Sequence, residues 1–186
     1  LDLCERMTEY CNLIGSDCVH EVEIKSQCFI IISYKRSKKL EATFCDVIKN
    51  EYELIPIIAK KVKVKEGSPL MFCEKICQQI KKSLICFADV SRPNINVGFE
   101  IGIAWRYYKP TFLTMNTRMQ KQLPSDLAAL FGIWYSSYKD LRKKLKEEID
   151  ISWIRKINRE RVQQKKSELL FKMLKKYREE LPPPAV

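Results

Sequence analysis

Glu100 is the residue whose surroundings raise a chemical question. It falls among Phe99, Ile101, Ile103 and Ala104 in the stretch SLICFADVSRPNINVGFEIGIAWRYY, residues 83–108. A carboxylate in apolar surroundings is paired, protonated or used. Pairing would fall to Arg92 or Arg106, and exposure to water is the other unremarkable outcome. Its neighbours along the chain are chemically useful. Asp89, Ser91, Arg92, Asn94 and Asn96 form a polar loop. Asn96 precedes Glu100 by one helical turn, so both project from one face. Gly98 and Gly102 flank the carboxylate and keep a helix face bare, so a ligand or another backbone can come close. A helix start also offers free amides and partial positive charge, which suit an anionic group.

Positioning these residues requires a strand, a loop and a helix. Leu84–Ala88 is a short apolar run that Asp89 ends, and helical spacing begins at Val97 with Ile101, Ala104 and Trp105. The rest of the chain repeats this alternation. QCFIIISY, residues 27–34, is a continuous β-branched and aromatic run, expected of a central strand covered on both faces. Tyr34, Lys35 and Arg36 follow it as a basic turn. Residues 40–48 have helical spacing. LIPIIA, residues 54–59, is a second strand whose Pro56 argues for an edge. KKVKVK, residues 60–65, extends that strand or forms a basic loop. Residues 70–82 are amphipathic, PTFLTM (110–115) is a further buried strand, and Ser125 or Asp126 caps a helix that Gly132 ends. Trp105, Tyr107 and Tyr108 are expected to pack. Strands alternating with helices predict an α/β fold, a flavodoxin-like or Rossmann-like parallel sheet with helices on both faces. Ligands of such sheets bind at the carboxyl ends of the strands.

Three regions are expected: residues 1–26, 27–138 as the α/β domain, and 139–186 as a basic helical extension. The chain carries a formal charge of +11. Residues 139–181 hold 15 Lys/Arg against 8 Asp/Glu, most of that excess. Such charge favours polyanions, which makes nucleic acid a secondary partner expectation. Leu141, Leu145 and Ile149 share one face, as do Leu170, Met173, Leu174 and Tyr177. Both faces suit a homo-oligomer or a partner domain. No apolar run approaches the ~20 residues that span a bilayer. No signal peptide is visible, and a chain opening on Leu reads as a piece of a longer protein.

The eight cysteines do not form a disulfide framework. Cys28, Cys45, Cys73, Cys77 and Cys86 lie in apolar patterns, where a thiol acts as a small hydrophobe. A reducing, cytoplasmic setting is expected. Cys4, Cys11, Cys18 and His20 have the chemistry of a zinc site. However, residues 1–14 read as a helix, on which seven residues separate Cys4 and Cys11 by ~10 Å. Helix and zinc site exclude one another, and the helix is favoured; no cofactor is required.

The pattern Asp89-x-Ser91-x-x-Asn94-x-Asn96-Val97-x-Phe99-Glu100-Ile101-Gly102-Ile103-Ala104, then Lys109-Pro110, then Pro124-Ser125-Asp126-Leu127, resembles the nucleoside 2-deoxyribosyltransferase-like superfamily. It is similar above all to the TIR-like, predicted nucleotide-binding branch. The resemblance covers residues 27–138. It implies a nucleoside, nucleotide or NAD as ligand, and a glutamate, at Glu100 here, that attacks the anomeric carbon and displaces the base. N-glycosidic cleavage passes through a cation-like sugar, which a carboxylate stabilises or captures. Asp89 would orient sugar hydroxyls or the base, and Asn94 and Asn96 would hold a hydroxyl or phosphate. Ser91, Arg92 and Gly98 complete the loop, and Tyr34, Lys35 and Arg36 face a phosphate. The transferases carry additional acids where Asn94 and Asn96 stand. That departure, with the lysine-rich loop after the second strand, favours a phosphate-bearing ligand. It also keeps a second reading open, a non-catalytic nucleotide-sensing or self-associating signalling module.

Overall fold

The computed structural model describes residues 10–11, 16–17, 23–33, 35, 37–62, 73–92, 94–119, 132–150, 152–156, 158–160, 162–163 and 167. The chain divides into two compact units, Leu1–Ile149 and Asp150–Val186.

Among the described residues of the first unit, five strands form one parallel sheet in the order β4-β3-β5-β6-β7. They are β3 (Gln27–Ile31), β4 (Ile55–Ile58), β5 (Ile85–Asp89), β6 (Thr111–Asn116) and β7 (Gly132–Tyr135). The order is that of a flavodoxin-like sheet, as the alternation of strand and helix predicts. β3 and β5 are buried along their whole length, which is why both read as unbroken apolar runs. Pro56 lies on β4, the edge strand, opposite Cys28, where its missing N–H is tolerated.

Helices cover both faces. On one, α3 (Ile95–Arg106) and α2 (Gln78–Lys82) pack Val97, Ile101, Ala104 and Ile80 onto Phe29, Ile31, Cys86 and Ala88. α2 is continued backward by a wider π-type turn, Cys73–Cys77. On the other face lie α1 (Lys38–Asn50) and α4 (Tyr138–Glu147). There Phe87 meets Phe44 at 5.8 Å, Tyr52 at 5.7 Å and Phe112 at 5.3 Å between ring centroids. The Tyr52 hydroxyl donates to the Leu145 carbonyl, tying α4 to the end of α1. Leu141, Leu145 and Ile149 are therefore spent inside this unit. The apolar face expected to serve a partner has α1 as its partner.

Several local expectations change. Tyr10–Cys11 (β1) pairs antiparallel with Ser16–Asp17 (β2) instead of continuing a helix to Ile14. Gly15, read as a helix stop, is equally a turn former between two short strands. Ala59–Lys61 turns into a 3-10 helix, so the lysines after β4 do not extend the strand. Gly132 opens β7, beneath the Trp134 ring, whose Cζ3 lies 2.6 Å from where a Cβ would stand. The caps expected at Ser125 or Asp126, and the faces at Leu170–Tyr177, lie outside the described residues. No described helix is long and apolar enough to cross a membrane.

Candidate active site

The strand order reverses between β3 and β5, and the crevice between their carboxyl ends is where such sheets bind ligands. Two side chains meet across it. Asn94, which follows β5, donates from Nδ2 to Ser33 Oγ, which follows β3, at 3.0 Å. The same Asn94 caps α3, its Oδ1 accepting the Val97 N–H at 3.0 Å. One residue thus fixes the helix start and its position over the crevice. Asn is chosen because it carries an acceptor for the helix amide and a donor for the serine at once.

Glu100 sits one and a half turns into α3. Only 7% of it is exposed. Among the described residues it has no hydrogen-bond or ion-pair partner, and neither Arg92 nor Arg106 pairs with it. Burial pushes its carboxyl up to about 7, because removal from water penalises the charged form. Helical spacing puts Asn96, Glu100, Ile103 and Tyr107 on one flank of α3. Tyr107 identifies where that flank points, since Lys81 of α2 lies 4.6 Å over its ring. Asn96 is exposed one turn above the buried carboxylate. Gly98 is exposed too, with open space where a side chain would start.

Asp89 and Ser91 occupy different ground. Asp89 is 1% exposed, and its Oδ2 accepts from Ser91 Oγ at 2.9 Å and from Tyr135 Oη at 2.8 Å. Ser91 Oγ in turn accepts the Asn116 N–H at 2.7 Å. This buried network clamps the ends of β5, β6 and β7 beneath the loop. Contact with a sugar was expected of Asp89; its described hydrogen bonds go to protein. Neither Tyr135 nor Asn116 stood out in the sequence. A polar residue ending an otherwise apolar strand was the available signal.

The basic residues separate as well. Arg92 and Lys35 are exposed at the crevice, while Tyr34 and Arg36 lie outside the described residues. Lys60 forms an ion pair with the buried Glu41 of α1, and Lys61 lies 3.5 Å from the same carboxylate. Two lysines of the loop after β4 are therefore matched by an internal acid. That weakens the lysine-rich loop as an argument for a phosphate-bearing ligand. Cys4, Cys18 and His20 lie outside the described residues. Cys28, Cys77 and Cys86 are buried and Cys45 half-buried, all as free thiols; burial drives the Cys86 thiol up to about 12, far from a reactive nucleophile. In the second unit Ser152, Arg155, Lys156, Arg159 and Glu160 line a shallow, mostly basic cavity, the face to which the polyanion expectation attaches.

An open parallel sheet with a polar loop and an acid-bearing helix at its switch point defines a flavodoxin-like α/β protein with a crevice suited to a small ligand. No protein-family profile matches the chain, and no curated protein matches it. Among solved structures it is similar to a 2-deoxyribosyltransferase from the psychrotolerant bacterium Bacillus psychrosaccharolyticus. The TM-score is 0.50 at 12% identity, over 69% of this chain and 95% of that one. At that identity the likeness is one of fold, and it agrees with the deoxyribosyltransferase-like architecture the motif implies.

Proposed function

We propose that this chain binds a nucleoside or nucleotide in the β3/β5 crevice and cleaves or transfers its N-glycosidic bond, with Glu100 acting at the anomeric carbon. The observation that carries this reading is a carboxylate 93% removed from solvent with no described protein partner, on the helix that the crevice loop begins. A fold does not keep such a group for stability, because burying it unpaired costs free energy. In its ionised form it stabilises the cation-like sugar or bonds to C1′. The C1′–N bond breaks, its electron pair leaves with the base, and the base takes up a proton. Water or a second acceptor then attacks C1′ and frees the carboxylate. NAD falls in the same substrate class, since its nicotinamide is held by the same bond. NAD cleavage is what the resemblance to the TIR-like branch points to. One feature favours the non-catalytic reading: Asn94, at a position where transferases carry an acid, is occupied by the helix cap and by Ser33.

Mass spectrometry of deoxynucleosides, nucleotides and NAD incubated with wild type and Glu100→Gln decides between them. Free base from wild type and none from the variant supports catalysis at Glu100. Equal turnover in both would sink that role. Binding without turnover by wild type supports the sensing module.

A further inference from the structure

α3 presents a second face that neither the core nor the crevice uses. Of its twelve residues only Asn96, Glu100 and Arg106 are polar or charged, and a helix apolar on all sides is normally covered on all sides. Here Ile95 is 87% exposed, Phe99 48% and Trp105 41%, and Tyr108 just beyond the helix is 88% exposed. Helical spacing aligns Ile95, Gly98, Phe99, Gly102 and Trp105 in one stripe opposite Val97, Ile101 and Ala104. A Cβ at Gly98 or Gly102 would meet nothing within 4 Å, so the two glycines leave an open hollow between bulky neighbours.

We infer that this stripe is the contact surface between two copies of the chain, with their α3 helices crossing antiparallel at Gly98 and Gly102. The stripe carries both halves of the fit, the Phe99 ridge and the glycine hollow. A two-fold axis near Glu100 sets each ridge against the other copy's hollow, as an isologous contact requires. Area is sufficient. At the ~150–250 Å² that an aromatic side chain carries, the exposed parts of these four large side chains amount to roughly 500 Å² per copy. The pair then reaches the ~1,000 Å² that a specific interface must clear. Charge permits it. Arg106 is the single charge on the stripe and lies at its end, so the antiparallel crossing separates the two by ~18 Å at 1.5 Å per residue. That exceeds the ~8 Å screening length at physiological ionic strength. The stripe itself offers no charge to recognise a different partner. Each copy carries +11 overall, so association strengthens as salt screens the repulsion between copies.

Sedimentation equilibrium of the full chain over a concentration series, at low and high salt, tests this. Wild type is expected to dimerise, more tightly at high salt. Gly102→Leu fills the hollow without a clash inside one copy. Ile95→Asp puts a carboxylate at a helix start, where it is favourable within the monomer. Both variants should keep the wild-type circular dichroism and melting temperature or raise it, yet dissociate at least ~10-fold more readily, a change of ~1.4 kcal/mol. A wild type that stays monomeric at its highest soluble concentration overturns the inference. So does a dimer that both folded variants leave unchanged.

Discussion

Glu100 couples the proposed chemistry to the stability of the fold. Its carboxyl rises from 4.5 to about 7 on folding, so between those values the folded chain binds a proton that the unfolded chain does not. Stability is fully present below about 4.5 and is lost as pH rises toward 7. The amount is about 3 kcal/mol at most, from the size of that shift. Glu100→Gln removes the titrating group and keeps the shape. Its melting temperature should exceed that of wild type at pH 8 and approach it at pH 5, read by calorimetry at both. A variant no more stable than wild type at pH 8 would mean the carboxylate is better solvated than its burial indicates. If the ionised form attacks C1′, kcat/KM of wild type should climb with pH through about 7 in a stopped assay. A residue used in this way is stored at a cost in stability, and that cost is measurable without knowing the substrate.

At the level of elements, the loop between β5 and α3 is fastened twice, above by Asn94 and below by the Asp89 network. Asn94→Ala should lose the helix cap, at ~0.5–2 kcal/mol, and release Ser33. Asn94→Asp should keep the cap and lose the donor to Ser33, so denaturant titration should find it closer to wild type than the alanine variant. Tyr135→Phe removes a donor from a buried carboxylate and should cost ~1–3 kcal/mol by the same measurement. Its effect should be the larger because no water replaces that hydrogen bond at a residue 1% exposed. These contacts also mark the limit of what the sequence could reveal. Strands β3 and β5 were legible because burial on both faces leaves an unbroken apolar run, and Pro56 announced an edge. The loop-helix unit was legible because a polar loop and helical spacing adjoin Glu100. The tie between Asp89 and Tyr135 was not, because it joins positions 46 residues apart, and only the sheet order brings their ends together. Glu41 and its lysines were hidden for the same reason, each looking like an ordinary surface charge in its own helix or loop.

On the scale of the whole molecule, the boundary of the α/β unit depends on α4. The charged sequence after Tyr138 suggested an extension beginning at 139, since basic and acidic residues outnumber the apolar ones. Three apolar positions outweigh them. Leu141 and Leu145 are fully buried and Ile149 nearly so, and Tyr52, itself fully buried, spends its hydroxyl on the Leu145 carbonyl. The charges lie on the outer face, where Lys143 and Lys144 reach Glu147 and Glu148 one turn on at 3.8 and 3.7 Å. Such exposed pairs contribute little, whereas each buried leucine contributes ~1.5–3 kcal/mol. α4 is therefore a covering layer of the sheet, and the unit closes at Ile149. A chain ending at Ile149 should unfold cooperatively, with one transition seen by both circular dichroism and Tyr/Trp fluorescence. A chain ending at Tyr138 should not, since it uncovers the aromatic cluster of Phe44, Tyr52, Phe87 and Phe112 and strips the Tyr52 hydroxyl of its acceptor. Cooperative, coincident unfolding of the shorter chain would return α4 to the extension. Loss of cooperativity in the longer one would mean that residues beyond 149 complete the core.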